Sequence, residues 1–304
     1  MLFRSLRSFF AGLGPFRAVV EATASYEWLW QVLEPLAERL VLAHPKKLRV
    51  IAESTRKSDK LDASVLADFL ALDLIPPAYR PTPRQRQHRA LVRQRYFLGR
   101  QITAVKNKVR HVLAAYNADR RDLFSDQGQE YLAGVPVAAA DRFVLGQLLA
   151  GWRHLEEQRH ALDRELRAFA QKAPVAEREA RDVLGSIPAV GPVTVDIVLS
   201  ELGEVGRFRS AKQVAAYAGL APGQRASAGR SKELGISKEG SPLLRWALVE
   251  AAWRLVRKSR RWGAVFEGLA KRRGRKKAIV AVARRLLGVM VALLRTGQRY
   301  RLAA

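Results

Sequence analysis

The sequence contains no cysteine, which excludes disulfide frameworks, thiolate zinc sites and cysteine nucleophiles. It lacks any uninterrupted apolar run of the ~20 residues that a membrane-spanning helix needs. The best candidate, Ala278 to Leu294, is cut by Arg284 and Arg285. Acids are scarce, 28 against 54 lysines and arginines, so the net charge is +26 and the isoelectric point lies near 11.2. The opening MLFRSLRSFFAGLG is basic and apolar, yet no small-residue cleavage site follows it. These absences point to a soluble, cytoplasmic chain with no membrane role. The charge points to a polyphosphate partner. What is present is ample: 304 residues that are 48% apolar can bury a large core and build two or three domains.

The positive charge is concentrated. Arg84 to Arg121 holds 11 basic residues and one acid, Asp119, and Arg254 to Arg301 holds 16 basic residues and one acid, Glu267. These two blocks carry nearly the whole excess. Two separate basic surfaces suit a protein that grips nucleic acid in more than one place. Lys106, Lys108 and Arg110 in the first block and Lys271, Arg272 and Arg273 in the second are the candidate contacts.

The first 75 residues alternate strand and helix patterns. Arg17 to Glu21 reads as a buried strand ending in an acid, Ser25 to Leu40 as a helix, and Leu40 to Ala43 as a second strand. A helix carrying Asp59 to Leu72 follows. That alternation predicts an α/β layer with a parallel component. Four prolines between Ile75 and Pro83 close the segment. Beyond them, Leu98, Ile102, Val105, Val109, Val112 and Tyr116 form a heptad seam. A second seam runs through Leu145, Leu148, Trp152, Leu155, Arg159, Leu162, Leu166 and Phe169, with one polar interruption at Arg159. Two such helices predict an antiparallel coiled-coil hairpin, or two arms that pair between subunits. The expected division is an α/β domain over 1–75, a helical arm over 84–172 and a mainly α-helical C-terminal domain over 180–301.

Three local patterns can carry chemistry. Asp59 and Asp62, three apart at a helix start, project from one face, and Glu21 ends a strand of the same α/β unit. Such carboxylates either hold a hard divalent cation or are solvated charge complementing a helix dipole. Ser186 to Thr194 reads as a helix–hairpin–helix-like turn with Gly191 permitting the bend; the amides beyond it either face a phosphate or close a structural turn. Gly223 to Gly240 is rich in Gly, Ser and cations, including Arg225, Arg230 and Lys238 around Ser227 and Ser237. A serine there either attacks a phosphodiester or sits in a loop that only contacts phosphate. No histidine lies near enough in sequence to form a triad. Ser241-Pro242 reads as a cap and first residue of a further helix.

Several long motifs bear a family resemblance. IPAVGPVTVDIVLSELGEVGRFRSAKQVAAYAGLAP, GISKEGSPLLRWALVEAAWR and KKAIVAVARRLLGVMVALLRTGQRY, with VVEATASYEWLW, RKSDKLDASVLADF and VKNKVRHVLAAYN upstream, resemble the DEDD-type bacterial insertion-sequence transposases. The similarity runs from Arg17 to Tyr300. It implies an RNase H-like N-terminal domain, a coiled coil and a serine-bearing C-terminal domain. The implied activity is site-specific DNA recombination, guided in some members by a structured RNA. By position, Glu21, Asp59 and Asp62 match the second, third and fourth acids of the DEDD set, and Ser227 matches the nucleophile. The implied cofactor is Mg²⁺ and the implied partners are double-stranded DNA, a guide RNA and further copies of the chain, as a homodimer or homotetramer.

The resemblance also sets an expectation about the first acid, which in the family lies on a strand upstream of the glutamate. No acid stands between Met1 and Val20. The catalytic domain is therefore expected to be N-terminally truncated here, with Glu27 or Glu53 the candidate substitutes. The competing readings are a catalytically dead nucleic-acid-binding remnant and a structure-specific nuclease with the same acids.

Overall fold

A computed structural model describes residues 2–51, 59–227 and 230–301; the side chains of 2–3, 49–51, 59–62, 224–227 and 230–234 lie outside that description. The chain divides into two compact units, Met1–Thr82 and Pro83–Ala304.

In the first unit the elements are α1 (Leu2–Ala11), β1 (Arg17–Glu21), α2 (Tyr26–Leu33), β2 (Arg39–Ala43), α3 (Pro45–Ile51) and α4 (Asp59–Ala71). The strands pair in parallel, from Arg17 opposite Arg39 to Glu21 opposite Ala43, with α2 as the crossover a parallel pair requires. Their apolar runs are continuous because both faces are covered. Val20 and Leu42 pack on Trp30 and Leu33 of α2, while Val19 and Val41 pack on Leu66, Phe69 and Leu70 of α4. The α2 helix is shorter than the sequence pattern predicts. It ends at Leu33: Glu34 keeps helical angles and donates to Trp30 O (2.8 Å), but Pro35, which follows, has no N–H to continue the ladder. The proline-rich segment beyond α4 lies against β2. His44 donates to Pro76 O (2.9 Å) and Ala78 donates to Leu42 O (2.7 Å).

The second unit is helical around one β-hairpin. It contains α5 (Pro83–Ala114), α6 (Asp126–Gly134), α7 (Ala139–Gln171), α8 (Val175–Gly185), α9 (Pro192–Leu202), α10 (Ala211–Tyr217), β3 (Pro222–Ser227), β4 (Arg230–Ile236), α11 (Pro242–Lys258), α12 (Arg260–Arg273) and α13 (Arg275–Thr296). Helices α5 and α7 run antiparallel. Arg84 reaches Phe169 O, Arg95 pairs with Asp163, Lys106 with Glu156, and the Tyr116 hydroxyl donates to Asp141, so partner numbers fall as α5 advances. On α5 the buried positions are His88, Val92, Leu98, Ile102, Val109 and Leu113. Val109 and Leu113 form a distal cluster with Leu123, Leu132 and Leu145; Val92 and Leu166 join the main core. That core centres on α13, whose Ile279, Val282, Leu286, Leu287 and Met290 are buried among α10, α11 and α12. No helix among the described residues is long and apolar enough to cross a membrane.

Two local expectations resolve differently at the α8–α9 turn and at the start of α11. The left-handed residue of the turn is Ala189 (φ 68°), whereas Gly191 is extended (φ −95°) and a β-carbon there would meet nothing. Gly191 is therefore not what permits the bend. At α11, Ser241 accepts from the Leu244 amide (3.2 Å) with Pro242 in the first turn, the expected cap.

Candidate functional site

Glu21 is the last residue of β1 and is exposed. By strand alternation it shares the face of Val19, the face covered by α4. Asp59 and Asp62 fall in the first turn of α4, whose later residues Leu66, Phe69 and Leu70 pack on the strand pair. The side chains of Asp59 and Asp62 lie outside the described residues, among which no cluster of three metal-ligating groups occurs. The donor set is all carboxylate oxygen, which fits a hard cation such as Mg²⁺. Glu27 is already engaged: Arg80 grips it at 2.8 Å and also pairs with Glu34 at 3.0 Å. The hydrogen bond that Arg80 donates to Glu27 holds the guanidinium above its ordinary value, against the opposing effect of burial. Glu53 lies outside the described residues.

The polar stretch after Pro222 is a β-hairpin where its composition suggested a loop. β3 and β4 pair antiparallel, with Arg225 opposite Lys232 and Ser227 opposite Arg230 at the distal end. Strand pairing joins backbone groups, so a segment without large apolar side chains can still form it. Ser227 is the last residue of β3. The side chains of Ser227, Arg225 and Arg230 lie outside the described residues, whereas Lys238, just past β4, is exposed with φ 57°.

The base of this hairpin is held tightly. Ser237 donates to Ala221 O (2.9 Å) and Lys238 to Gly219 O (3.1 Å). Gly219 (φ 68°) and Gly240 cross in contact; a β-carbon on either would meet backbone of the other segment. Arg245 of α11 fastens the crossing by donating to Gly240 O (2.7 Å) and Ala218 O (3.3 Å), and burial lowers its guanidinium below the ordinary value. Composition did not reveal this clamp, although paired glycines at the two ends of a polar stretch were its signal.

The two basic blocks differ once their side chains are placed. On α5, Arg84 pairs with Glu177 (2.5 Å), Arg93 with Glu201 (2.9 Å) and Arg110 with Asp119 (2.7 Å). Lys106 is half-buried beside Glu156 and over the rings of Phe124 and Trp152. Acids from α7, α8 and α9 therefore neutralise much of that block. Arg100 and Lys108 are exposed and without an ion-pair partner among the described residues. Around α12 and α13 the opposite holds. Lys258, Arg260, Arg261, Lys271, Lys276 and Lys277 are exposed without such a partner, and Arg272 only caps Gly268 O. Arg273 occupies the last turn of α12.

Two family models match the sequence. One, described as a DEDD-type IS110 transposase, covers residues 3–118 and so includes Glu21, Asp59 and Asp62; the other, the transposase IS116/IS110/IS902 family, covers 181–267 and includes Ser227. The chain belongs to the IS110-type transposase family. Among curated relatives it is 29% identical over 272 residues to the transposase for insertion sequence element IS1111A of Coxiella burnetii, spanning 86% of this chain and 73% of that one. It is 26% identical to a probable family 20 transposase of Pseudomonas aeruginosa, over 97% of this chain and 89% of the relative. The pilin gene-inverting protein of Moraxella bovis is 27% identical over 93% of this chain and 81% of its own length. For the family fold, a DEDD domain implies an RNase H-like layer, and the β1–α2–β2 unit with helices on both faces agrees with it.

Proposed function

We propose that this transposase cuts and rejoins DNA through Ser227, with Glu21, Asp59 and Asp62 holding a divalent cation at the scissile phosphate. The observation that carries the reading is the pair of family matches, one over the acids and one over the serine, with each residue set at the end of an ordered element. In the proposed step the Ser227 hydroxyl gives up its proton to solvent and its oxygen bonds to phosphorus, while the bond to the departing sugar oxygen breaks and that oxygen takes a proton from solvent. The phosphoserine ester conserves the bond for rejoining when a sugar hydroxyl attacks it in reverse. Mg²⁺, when bound, would polarise the phosphate oxygens. Arg225, Arg230 and Lys238 are assigned to the negative charge that grows on those oxygens.

The α12–α13 surface is assigned to double-stranded DNA or a structured guide RNA. Three cations, Arg275, Lys276 and Lys277, sit in the first turn of α13, where the helix dipole already disfavours positive charge. A bound phosphate relieves that conflict. The work is divided among an acid-bearing layer over 1–75, the α5–α7 arm over 84–172 and the serine-bearing domain over 180–301. Copies pair as a homodimer or homotetramer, since recombination requires several strands cut in concert.

The test expresses the gene with its native flanking DNA and follows element excision in cells. Ser227→Ala is expected to abolish excision while nucleic-acid binding persists. Loss of excision in Ser237→Ala with retention in Ser227→Ala overturns the assignment. Metal-dependent cutting with no covalent adduct would select a nuclease instead.

A further inference from the structure

A cleft of roughly 430 Å³ lies along α5 beside α9 and α11, within the ~300–1,000 Å³ typical of small-ligand sites. Its floor is apolar, formed by Val92, Leu166 and Ile197. Its rim carries Tyr96, Trp246 and Arg100. Trp246 is 43% exposed, while Leu243, Leu244, Ala247 and Leu248 around it on α11 are buried. The Tyr96 and Trp246 rings are 5.4 Å apart and tilted by 49°, so neither covers the other face to face. Arg100 is exposed and unpaired among the described residues, and the Asn107 amide in the wall makes no hydrogen bond among them. The one acid in the wall, Asp196, is neutralised by Arg181 (2.7 Å) and hydrogen-bonded to His88 (2.9 Å), so it does not oppose an anion.

The cleft continues. Thr103 and Asn107 also line a neighbouring depression that carries Lys106, Arg110, Arg121 and Phe124. Tyr96, Arg100 and Asn107 thus follow one another along α5, with the ion-paired Lys106 and Arg110 beyond them. That sequence of groups is what a splayed nucleotide needs: a flat apolar face for its base, a cation for its phosphate and an amide for its edge. An apolar helix from a second copy fits less well, because it would cover Arg100 and Asn107 without giving them a partner.

We infer that this cleft receives an unpaired nucleotide of the bound nucleic acid, its base against Trp246 and Tyr96 and its phosphate at Arg100. The inference rests on the nucleic-acid-binding reading above and adds to it a site that recognises an unstacked base. An unpaired nucleotide can come from DNA or from RNA, and the chemistry recognised is common to both.

The full chain is titrated, at fixed salt, with a fully paired duplex and with the same duplex carrying one extra unpaired nucleotide, each in DNA and RNA form. The wild type is expected to prefer the bulged duplex roughly tenfold, in the range that base–aromatic stacking contributes. Trp246→Ala is expected to erase that preference while binding the paired duplex as before, and Trp246→Phe to keep most of it. The DNA and RNA arms identify the source. A 5-iodouracil at the unpaired position is expected to photo-crosslink the wild type at Trp246 or Tyr96, which needs no variant to fold. Binding of the paired duplex with no bulge preference overturns this inference alone. Failure of the chain to bind any of the four overturns it together with the reading beneath it. Crosslinks confined to other segments also overturn it.

Discussion

Gly240 passes so close to Tyr217 that a β-carbon on Gly240 would overlap the Tyr217 carbonyl oxygen. This crossing seats the β3–β4 hairpin on the end of α10 and the start of α11, with Ser227 at its far end. The side chain that bears the proposed chemistry is thus carried by a strand rooted in the buried core.

Gly240→Ala is expected to destabilise the second unit by about 1–3 kcal/mol, the usual cost of forcing atoms into filled space. It should lower excision as well. Gly235→Ala is the control, because a β-carbon there meets nothing within 4 Å. Chemical denaturation and the excision assay should separate the two variants; equal stability would mean the crossing is loose.

Neutralising Lys271, Lys276 and Lys277 together should flatten the salt dependence of DNA binding by about 0.9 per lost phosphate contact. Arg93→Gln should leave that slope unchanged, since Arg93 is spent on Glu201. Its cost should appear as lost stability, because Glu201 is buried and would be left unpaired. A steeper or unchanged slope in the triple variant would show that these cations are merely solvated.

Glu177 links α5 to α8. Burial pushes its carboxyl up, but hydrogen bonds from Arg84 and Arg181 and their charges outweigh this and hold it below the usual carboxylate range. A depressed folded-state value means that the carboxylate stabilises the fold fully above the ordinary carboxylate value of 4.5 and progressively less as pH falls through the folded one. Glu177→Gln is expected to cost about 1–2 kcal/mol at neutral pH, allowing for partial exposure. That gap should close in acid. A gap independent of pH between neutrality and pH 3 would remove Glu177 from the account.

Glu21→Gln is expected to abolish cleavage while leaving duplex affinity intact, because Glu21 is exposed and lies outside both basic blocks. Raised Mg²⁺ should restore part of the activity, as expected when one oxygen ligand of a hard cation is lost. Full activity at ordinary Mg²⁺ would exclude Glu21 from the metal site.

Much of the first unit was legible in the sequence because both strands are buried on both faces. The run at Val19-Val20 could only be a covered strand, and its bounds, Arg17 to Glu21, came out as read. The end of α2 was misread because the apolar pattern continued past Pro35, where the backbone could not. The first basic block looked like free charge because the acids that neutralise it, such as Asp163, Glu177 and Glu201, lie far along the chain and meet α5 only after folding. For the same reason the cleft was invisible: Tyr96 and Trp246 carry no local pattern that joins them. Ser227 was singled out by its setting and by family likeness, while the hairpin that carries it was not, since strand pairing joins backbone groups and a polar segment shows little of it in its side chains.

The most direct test of the central claim incubates the protein, expressed with its native flanking sequence, with labelled element-end DNA and Mg²⁺, followed by denaturing electrophoresis and peptide mapping. The account predicts a covalent protein–DNA adduct that maps to the peptide containing Ser227 and is absent in Ser227→Ala. An adduct that persists in Ser227→Ala, or DNA cut with no adduct on any serine, would contradict it.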